Sequence, residues 1–335
     1  MKTRRKSIAI IFAILIVIAL GIGIWFTQNQ AQRYRGPIEK ITVAAGKTAV
    51  LVYIAQDQGY FADHGLEVTI NTFQAGKLAT DAMLAGEADI STASSSVLVS
   101  HSFERDDLRT FAGIATHQIK ELVARKDHGI GQIDDLKGKR IGVTRKSGGE
   151  AALGRFLIFN ELSFQDVEIV DMKPQEIEDA MVRGKIDAVL AWEPHVYNVK
   201  QALGDTVVSW PGDSDQNSTF MLITTADWLT NHQSVAERLL MALLQAEQYV
   251  KENDDEAKTF VQQRFDYEPG YLQSVWPKYS YAVRLPQALI LSMEDEARWR
   301  IENKLTDKTT VPNYLDFIYI DALEAVNPEA VNVIR

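Results

Sequence analysis

The amino-acid sequence predicts an α/β protein with two lobes, each a mainly parallel sheet flanked by helices, preceded by one N-terminal transmembrane helix. Three observations support this prediction. Residues 81–89 read DAMLAGEAD and residues 179–187 read DAMVRGKID, so a short motif occurs twice. The same alternation of strands and helices surrounds both copies, as expected for parallel sheets. Residues 8–26 form an uncharged, largely apolar run.

The first 32 residues predict export from the cytoplasm. The basic cluster MKTRRK precedes the uncharged run, which as a helix would span about 28 Å, close to the hydrocarbon thickness of a bilayer. Basic residues on this side place the N-terminus in the cytoplasm and the body outside it. Signal peptides have shorter apolar cores and a small-residue cleavage motif. We therefore expect residues 1–32 to be a signal anchor with its tether, held in the membrane through residues 8–26. A cleaved signal peptide is the alternative.

Composition narrows the function classes. The 335 residues are enough for two domains of ordinary size, and the 46% hydrophobic content supports well-formed cores. The formal net charge is −10, which argues against a body that binds nucleic acid. The chain has no cysteine, which excludes disulfides, thiolate metal sites, a cysteine nucleophile and lipid attachment through cysteine.

The first copy of the motif lies in a predicted β-α-β-α-β unit. Residues 41–45 and 66–72 are predicted strands with a helix between them. A second helix begins near residue 77 and ends at Gly86, where a residue that tolerates left-handed geometry is needed. The short apolar run after Asp89 is typical of a buried parallel strand.

The second copy repeats this order, and long helices follow it. Strands are predicted at 140–144, 167–171 and 188–191, and helices at 150–162 and 175–183, with Gly184 as the helix stop. Amphipathic helices, which pack through one apolar face, are predicted at 235–251, 255–265 and 285–305.

The candidate ligand contacts lie in four turns at the carboxyl ends of predicted strands, where open parallel sheets bind ligands. They are Lys47 and Thr48; Ser94, Ser95 and Ser96; Ser147, Gly148 and Gly149; and Trp192 and Glu193. Three of these turns place hydroxyl residues or glycine at a predicted helix start, which presents unpaired N–H groups to an anion. The alternative is that these residues only cap their own helices. Because such turns come from both lobes, we favour ligand contact.

The larger side chains at these turns allow more than one interpretation. Lys47 is the cationic partner that we expect for an anion, although a loop lysine is commonly just surface. Trp192 either forms one wall of the pocket or belongs to the core. Glu193 could bind an amine, form a contact between lobes or be solvated. His117, after another predicted strand, is a further candidate hydrogen-bond donor.

The sequence lacks the common catalytic and nucleotide-binding motifs. There is no GxxxxGK[ST], no GxGxxG after a strand and no GxSxG. The six histidines are scattered and form no HExxH pair. We therefore predict no catalytic residue, no metal site and no cofactor, and we interpret the protein as one that binds its ligand without chemistry.

Five stretches carry a family resemblance: AVLVYIAQDQGYFADHGLEV (49–68), DAMLAGEADISTASS (81–95), DLKGKRIGVTRKSGGEAALGRFL (135–157), GKIDAVLAWEPHVY (184–197) and NYLDFIYIDALEAV (313–326). They resemble the extracytoplasmic substrate-binding proteins of ABC importers, in the nitrate/sulfonate/taurine and thiamine-precursor (NMT1-like) group. The resemblance covers about residues 40–330. It implies a type II periplasmic-binding-protein fold, whose two lobes close on a small ligand as a hinge.

The resemblance also implies a domain organisation. It places the crossings between the lobes near residues 121–125 and 218–224. The first lobe would then be discontinuous, with residues 40–124 and 218–335, and the second lobe would comprise residues 125–217.

The function implied by the resemblance is extracytoplasmic binding of a small anionic or zwitterionic organic solute, of sulfonate, taurine, nitrate or carboxylate type. The solute would be delivered to the permease and ATPase subunits of an ABC importer, on the periplasmic or extracellular side of the cytoplasmic membrane. A membrane-tethered solute sensor or accessory subunit is the alternative. The related enzyme branch makes a thiamine pyrimidine with its own histidine and a cysteine-rich motif, and this chain has no cysteine to match it.

Overall fold

The computed structural model describes residues 34–212 and 218–334. The predicted anchor and tether at residues 1–32, including the membrane segment at 8–26, lie outside these ranges. Within them, no helix combines the length and the apolar character needed to cross a bilayer.

Around both copies of the repeated motif, strands and helices alternate in the order that the sequence predicts. The strands are β1 (Glu39–Gly46), β2 (Leu66–Phe73), β3 (Ile90–Ser94), β4 (Leu108–His117), β5 (Lys120–Arg125), β6 (Arg140–Val143), β7 (Glu168–Asp171), β8 (Ala188–Trp192), β9 (Val207–Pro211), β10 (Ser218–Thr225) and β11 (Tyr279–Arg284). The helices are α1 (Val50–Asp57), α2 (Tyr60–Asp63), α3 (Gly76–Leu84), α4 (Ser95–Ser102), α5 (Gly148–Phe159), α6 (Ile177–Val182), α7 (His195–Leu203), α8 (Ala226–Asn231), α9 (Gln233–Glu252), α10 (Asp254–Phe265), α11 (Pro269–Val275), α12 (Gln287–Glu302) and α13 (Asp321–Val326). Short 3₁₀ turns connect several of them.

Two sheets organise the molecule. The six-stranded sheet has the order β11-β4-β10-β3-β1-β2, and we call it with its helices the first lobe. The five-stranded sheet has the order β7-β6-β8-β5-β9, and we call it with its helices the second lobe. Each sheet has helices packed against it, as predicted.

The prediction of mainly parallel sheets is wrong. Within each repeated unit the strands are parallel, since β1 pairs with β2 and β3, and β6 pairs with β7 and β8. The remaining pairs are antiparallel: β10 with β3 and β4, β11 with β4, and β5 with β8 and β9. Every antiparallel pair includes β4, β5 or β10, the strands that adjoin the crossings between the sheets, so the route of the chain between the lobes sets their direction. Both sheets are therefore mixed.

The repeated motif performs the same structural task in both lobes. Gly86 and Gly184 both have positive φ angles, 79° and 67°, and end the preceding helix as predicted. The aspartate that closes each motif then accepts a backbone hydrogen bond from the first strand of its β-α-β-α-β unit. The Thr42 N–H donates to Asp89 Oδ2 at 2.7 Å, and the Arg140 N–H donates to Asp187 Oδ2 at 2.9 Å. The sequence separation is 47 residues in each case.

The order of the strands implies two crossings between the sheets. The chain leaves the first sheet after His117 and enters the second at Lys120; β9 of the second sheet ends at Pro211, and β10 of the first sheet begins at Ser218. The lobe ranges predicted from the sequence stay a prediction; β5, which the predicted boundary at 124/125 would divide, pairs along its length with strands of the second sheet.

Apolar packing covers each sheet. The largest cluster joins the first sheet to α9, through buried side chains such as Leu239, Leu240 and Leu243. Two smaller clusters lie on the second sheet, one including Leu153 of α5 and the other including Ile177 of α6. The strand ends between these cores are left to line the space between the lobes.

Candidate functional site

A cleft between the two lobes brings together most of the predicted ligand contacts. Its volume is about 670 Å³, including space open to solvent at its mouth. The predicted residues that line it are Lys47, Thr48, Ser94, His117, Ser147, Gly148, Gly149, Trp192 and Glu193. They come from both sheets, so the turns at the strand ends face one another across the cleft.

Two predicted contacts, Ser95 and Ser96, do not line this cleft. Helix α4 begins at Ser95, and its first turn directs Ser96 into the protein. Ser96 is buried, and its Oγ donates a hydrogen bond to Glu296 Oε2 at 2.7 Å. For these two residues we correct the prediction, because only Ser94 remains at the end of the strand, where the cleft lies.

The helix starts from the two lobes approach closely at the cleft. Ser147 caps α5, since the Gly149 N–H donates to its Oγ at 3.1 Å, while this Oγ donates to the Thr144 carbonyl at 2.6 Å. The Ser147 hydroxyl therefore caps its own helix, which is the alternative to ligand contact. Across the cleft, a Cβ atom added at Gly148 would lie 3.1 Å from Ser94 Oγ, so a side chain there would crowd the opposite lobe. Glycine permits this close approach of the backbone.

Lysine ammonium groups are the main charges of the cleft lining. Lys47 Nζ lies 5.6 Å and 5.4 Å from the ring centroids of Phe265 and Tyr267, and burial lowers the pKa of this lysine from its usual value. Lys120 is buried and donates a hydrogen bond to Ser218 Oγ across the crossing strands. Lys47 is therefore held by aromatic rings rather than left as an ordinary surface lysine.

Glu193 contributes one buried carboxyl group to the cleft. Its Oε2 accepts a hydrogen bond from the Tyr197 N–H at 3.0 Å, and its Oε1 lies 3.7 Å from Lys278 Nζ. Lys278 directly precedes β11 of the first sheet, so this pair is a contact between lobes, one of the three alternatives that the sequence left open. Burial raises the pKa of Glu193 above its usual value.

The aromatic lining includes two predicted residues with different surroundings. Trp192 is partly buried, lines the cleft and packs against the core of the first lobe, which combines both of its interpretations. His117 is 5% exposed, and its Nδ1 has no hydrogen-bond partner among the described residues. Burial, with a contribution from Lys120, holds the pKa of His117 well below its usual value, so the ring is neutral at pH 7.

Several lining residues were missed by the sequence analysis. They are Gly46, Gln74, Ala75, Gly76, Lys77, Val97, Ile119, Lys120, Pro194 and Phe220. Residues 74–77 follow the carboxyl end of β2, and the strand-end rule could have found them had it been applied to the second strand as well as to the first and third. Lys120 and Phe220 lie on strands that connect or follow the crossings, and no local motif signals their position.

Comparison with known proteins assigns the chain to a family. The family model described as NMT1/THI5 like matches residues 48–257, which is more than half of the chain. The chain belongs to the NMT1/THI5-like family. The matched range includes cleft residues from both lobes, among them Ser94 and Gly148.

Two relatives of this NMT1/THI5-like protein are named for the solutes that they bind. A candidate aliphatic sulfonates-binding protein of Bacillus subtilis (strain 168) is 24% identical over 76% of this chain and 76% of its own. The taurine-binding periplasmic protein of Escherichia coli (strain K12) is 27% identical over 64% of this chain and 68% of its own.

Solved structures share the fold. The alkanesulfonate-binding protein SsuA from Xanthomonas axonopodis pv. citri, bound to MOPS, matches with a TM-score of 0.74 and 16% identity, over 85% of this chain and 100% of that chain. A desulfurization enzyme matches with a TM-score of 0.64 and 15% identity, over 87% of this chain and 99% of its own. These likenesses confirm the periplasmic-binding-protein fold, which therefore occurs in both binding proteins and an enzyme.

Proposed function

We propose that this protein binds a small anionic or zwitterionic organic solute in the cleft between its lobes, outside the cytoplasmic membrane, and delivers it to an ABC importer. The observation that carries the proposal is the meeting, in one cleft, of helix starts from both lobes with three lysines. A solute held there would contact both lobes at once. This is the geometry that a binding protein needs to close around its ligand.

The charge of the lining favours an anion. Lys47, Lys77 and Lys120 line the cleft, whereas Glu193 is the acidic residue of the described lining. The negative charge of Glu193 is offset by Lys278, whose Nζ lies 3.7 Å from Glu193 Oε1. The N–H groups at the start of α5 add the partial positive charge of a helix N-terminus.

The apolar part of the lining favours an organic body on that anion. The second lobe contributes Trp192 to the apolar lining. The first lobe contributes Val97 and Phe220, and the crossing contributes Ile119. Apolar walls with a few polar groups are typical of sites for small organic ligands. A sulfonate or carboxylate with a short aliphatic or flat body therefore suits the cleft better than a bare inorganic anion.

Transport partners and location follow from the family rather than from the cleft. One relative is named as a periplasmic protein, which supports a location outside the cytoplasmic membrane. We propose a permease and an ATPase subunit as partners, and a membrane anchor through residues 8–26. A tethered sensor that uses the same lobes would bind the same solute but hand it to no transporter.

Thermal unfolding of the full chain in detergent tests the binding proposal. The probes are taurine, 1-butanesulfonate, MOPS, nitrate and benzoate. A probe present at a hundred times its Kd should add about 2.7 kcal/mol to the free energy of unfolding, because it binds only the folded state. If none of the five raises the melting temperature, the proposed ligand class is wrong.

A lysine variant sharpens this test. Lys120→Met should weaken binding of 1-butanesulfonate by about 1.5–3 kcal/mol, as expected when a charged hydrogen-bond partner is lost. The matched control is Lys251→Met, on α9, whose side chain is 58% exposed and which should leave the affinity unchanged. If Lys120→Met and Lys251→Met bind 1-butanesulfonate with equal affinity, Lys120 does not contact the ligand.

An enzyme is the second candidate function, because a desulfurization enzyme shares the fold. Neutral His117 and the carboxyl group of Glu193, with its raised pKa, are the cleft residues that could exchange a proton. Mass spectrometry of 1-butanesulfonate after long incubation separates the two functions. Recovery of the unchanged compound supports a binding protein, whereas sulfite release supports an enzyme.

A further inference from the structure

A chain of buried polar side chains links the two helix starts that face the cleft. Helix α12 supplies its centre through Glu296 and Arg300. Ser96 Oγ, in the first turn of α4, donates to Glu296 Oε2 at 2.7 Å. Arg300 Nε donates to Glu296 Oε1 at 3.0 Å, and Arg300 Nη1 donates to Glu150 Oε2 at 3.2 Å. Glu150 lies in the first turn of α5, so the chain runs from the first lobe to the second.

The second-lobe end of this chain holds the turn that lines the cleft. Glu150 Oε2 also accepts a hydrogen bond from the Lys146 N–H at 2.9 Å. Lys146 has a φ of 55°, in the left-handed region that lysine rarely adopts, so this backbone conformation needs support from its surroundings. Ser147, Gly148 and Gly149 follow directly and line the cleft.

The first-lobe end reaches the opposite wall. Ser96 is two residues beyond Ser94, whose Oγ would lie 3.1 Å from a Cβ atom added at Gly148. Neither Glu296 nor Arg300 lines the cleft. The two residues therefore hold both walls while making no contact with its interior.

The charged side chains of this link are almost completely buried. Arg300, Glu150 and Glu296 are 2%, 3% and 5% exposed. Charges removed from water are tolerated only while their partners are in place. Removal of Arg300 would leave Glu296 without the cation that pairs with it among the described residues. Glu150 would keep Arg145, whose Nη1 lies 3.1 Å from Glu150 Oε1. The hydrogen bonds of a buried network also favour the one arrangement of the elements in which they all form. A change in the separation of the two helix starts would break at least one of these contacts.

We propose that Arg300 and Glu296 are positioning residues that set the separation of the two ligand-facing helix starts. The consequence for ligand affinity rests on the proposed function, but the consequence for the arrangement of the lobes does not. Loss of the link should leave a folded protein whose lobes sample a wider range of separations. Its ligand would then bind more weakly, because part of the binding free energy would be spent on restoring the separation.

The test compares Arg300→Met with Arg298→Met on the same helix. Arg298 is a matched control, since its side chain is 51% exposed and its partners among the described residues, Glu294 and Asp295, lie on α12 itself. The chain has no cysteine, so cysteines introduced at the exposed Glu87 and Gln165, one in each lobe, can carry spin labels without background. Distance distributions between the labels are measured by pulsed electron paramagnetic resonance on the full chain without ligand, and Kd values for 1-butanesulfonate by calorimetry.

The expected result has three parts. Arg300→Met broadens the distance distribution, Arg298→Met does not, and Arg300→Lys is intermediate because it keeps the charge but loses the planar fork. Arg300→Met raises the Kd about fivefold or more, within the usual range of coupling between sites. Combined with Ser147→Ala, which acts on the same turn, the changes in Kd are non-additive by at least about threefold. If Arg300 only stabilised the fold, its substitution would lower the melting temperature but leave the distance distribution, the Kd and the additivity of the Kd changes unaffected.

Each contrary outcome has a defined meaning. A distance distribution for Arg300→Met equal to that of Arg298→Met overturns the proposal, as do strictly additive Kd changes. If Arg300→Met does not fold, Ser96→Ala replaces it, and an unchanged distribution in that variant overturns the proposal. If the wild-type chain binds no probe, the proposed function fails, and the distance distributions alone decide the role of Arg300.

Discussion

At the scale of single residues, Asp89 and Asp187 show how one side chain can connect three elements. Each follows a helix stop at glycine, directly precedes a strand and accepts a hydrogen bond from the first strand of its β-α-β-α-β unit. In the second lobe the carboxylate has further partners, since Arg140 Nη2 and His128 Nδ1 lie 2.7 Å and 2.8 Å from its Oδ1. The aspartates of the two motifs therefore make the same backbone hydrogen bond, but within the described residues only Asp187 is also shown paired with an arginine and a histidine.

We expect Asp187→Asn to destabilise the protein near neutral pH by about 1–2 kcal/mol, the range for an ion pair near the surface plus one backbone hydrogen bond. Hydrogen bonding from Arg140 holds the pKa of Asp187 well below its usual value. The unfolded state therefore binds the proton more readily, so the stabilisation is complete above the unfolded pKa and is lost as the pH falls below about 4.

Urea unfolding at pH 7 and pH 3 measures this difference. The loss caused by Asp187→Asn should shrink at pH 3. The control is Asp255→Asn, whose side chain is 95% exposed and which should change stability little at either pH. A loss of the same size at both pH values would show that the charge of Asp187 contributes nothing beyond the hydrogen bond to the strand.

At the scale of elements, α12 lies directly against α5. A Cβ atom added at Gly154 would lie 1.7 Å from the indole ring of Trp299, which is 7% exposed. Trp299 therefore occupies the space that any side chain at position 154 would need. This contact of a first-lobe helix with a second-lobe helix lies beside the buried link through Arg300, and both depend on the same helix separation.

Gly154→Ala should destabilise the protein although alanine favours a helix. The gain in helix propensity is about 1 kcal/mol, but overpacking typically costs about 1–3 kcal/mol, and here the neighbour is a large, buried ring. We expect a net loss in the free energy of unfolding, measured by urea titration. The double variant Gly154→Ala/Trp299→Ala should lose less than the sum of the single changes. A stability gain in Gly154→Ala alone would contradict the close packing of these helices.

At the scale of the whole molecule, local patterns predicted the two repeated β-α-β-α-β units and fewer than half of the residues that line the cleft. The positions of Ser94, Gly148 and Glu193 follow from the rule that ligands bind at the carboxyl ends of strands. The orientation of Ser96 does not, because its partner Glu296 is 200 residues away along the chain. Lys120 was missed for the same reason: its place in the cleft depends on how the chain crosses between the sheets, and no local periodicity encodes that crossing.

The mixed character of the sheets has the same origin. Parallel pairing within each β-α-β-α-β unit can be predicted from strand and helix alternation. The antiparallel pairs involve β4, β5, β9, β10 and β11, which lie at or beyond the crossings. Their direction is set by the route of the chain between lobes, a property of the whole molecule. The site depends on this route as well, since His117 and Lys120 stand on either side of one crossing.

Ligand binding should therefore protect both lobes together in hydrogen exchange. In the full chain saturated with 1-butanesulfonate, we expect slower amide exchange in peptides covering residues 94–97 and 147–150, because a solute between the helix starts suppresses their local opening. Peptides from α13, which does not line the cleft, should exchange at the same rate with and without the probe. Slower exchange in only one lobe would mean that the solute binds a single wall and does not draw the lobes together.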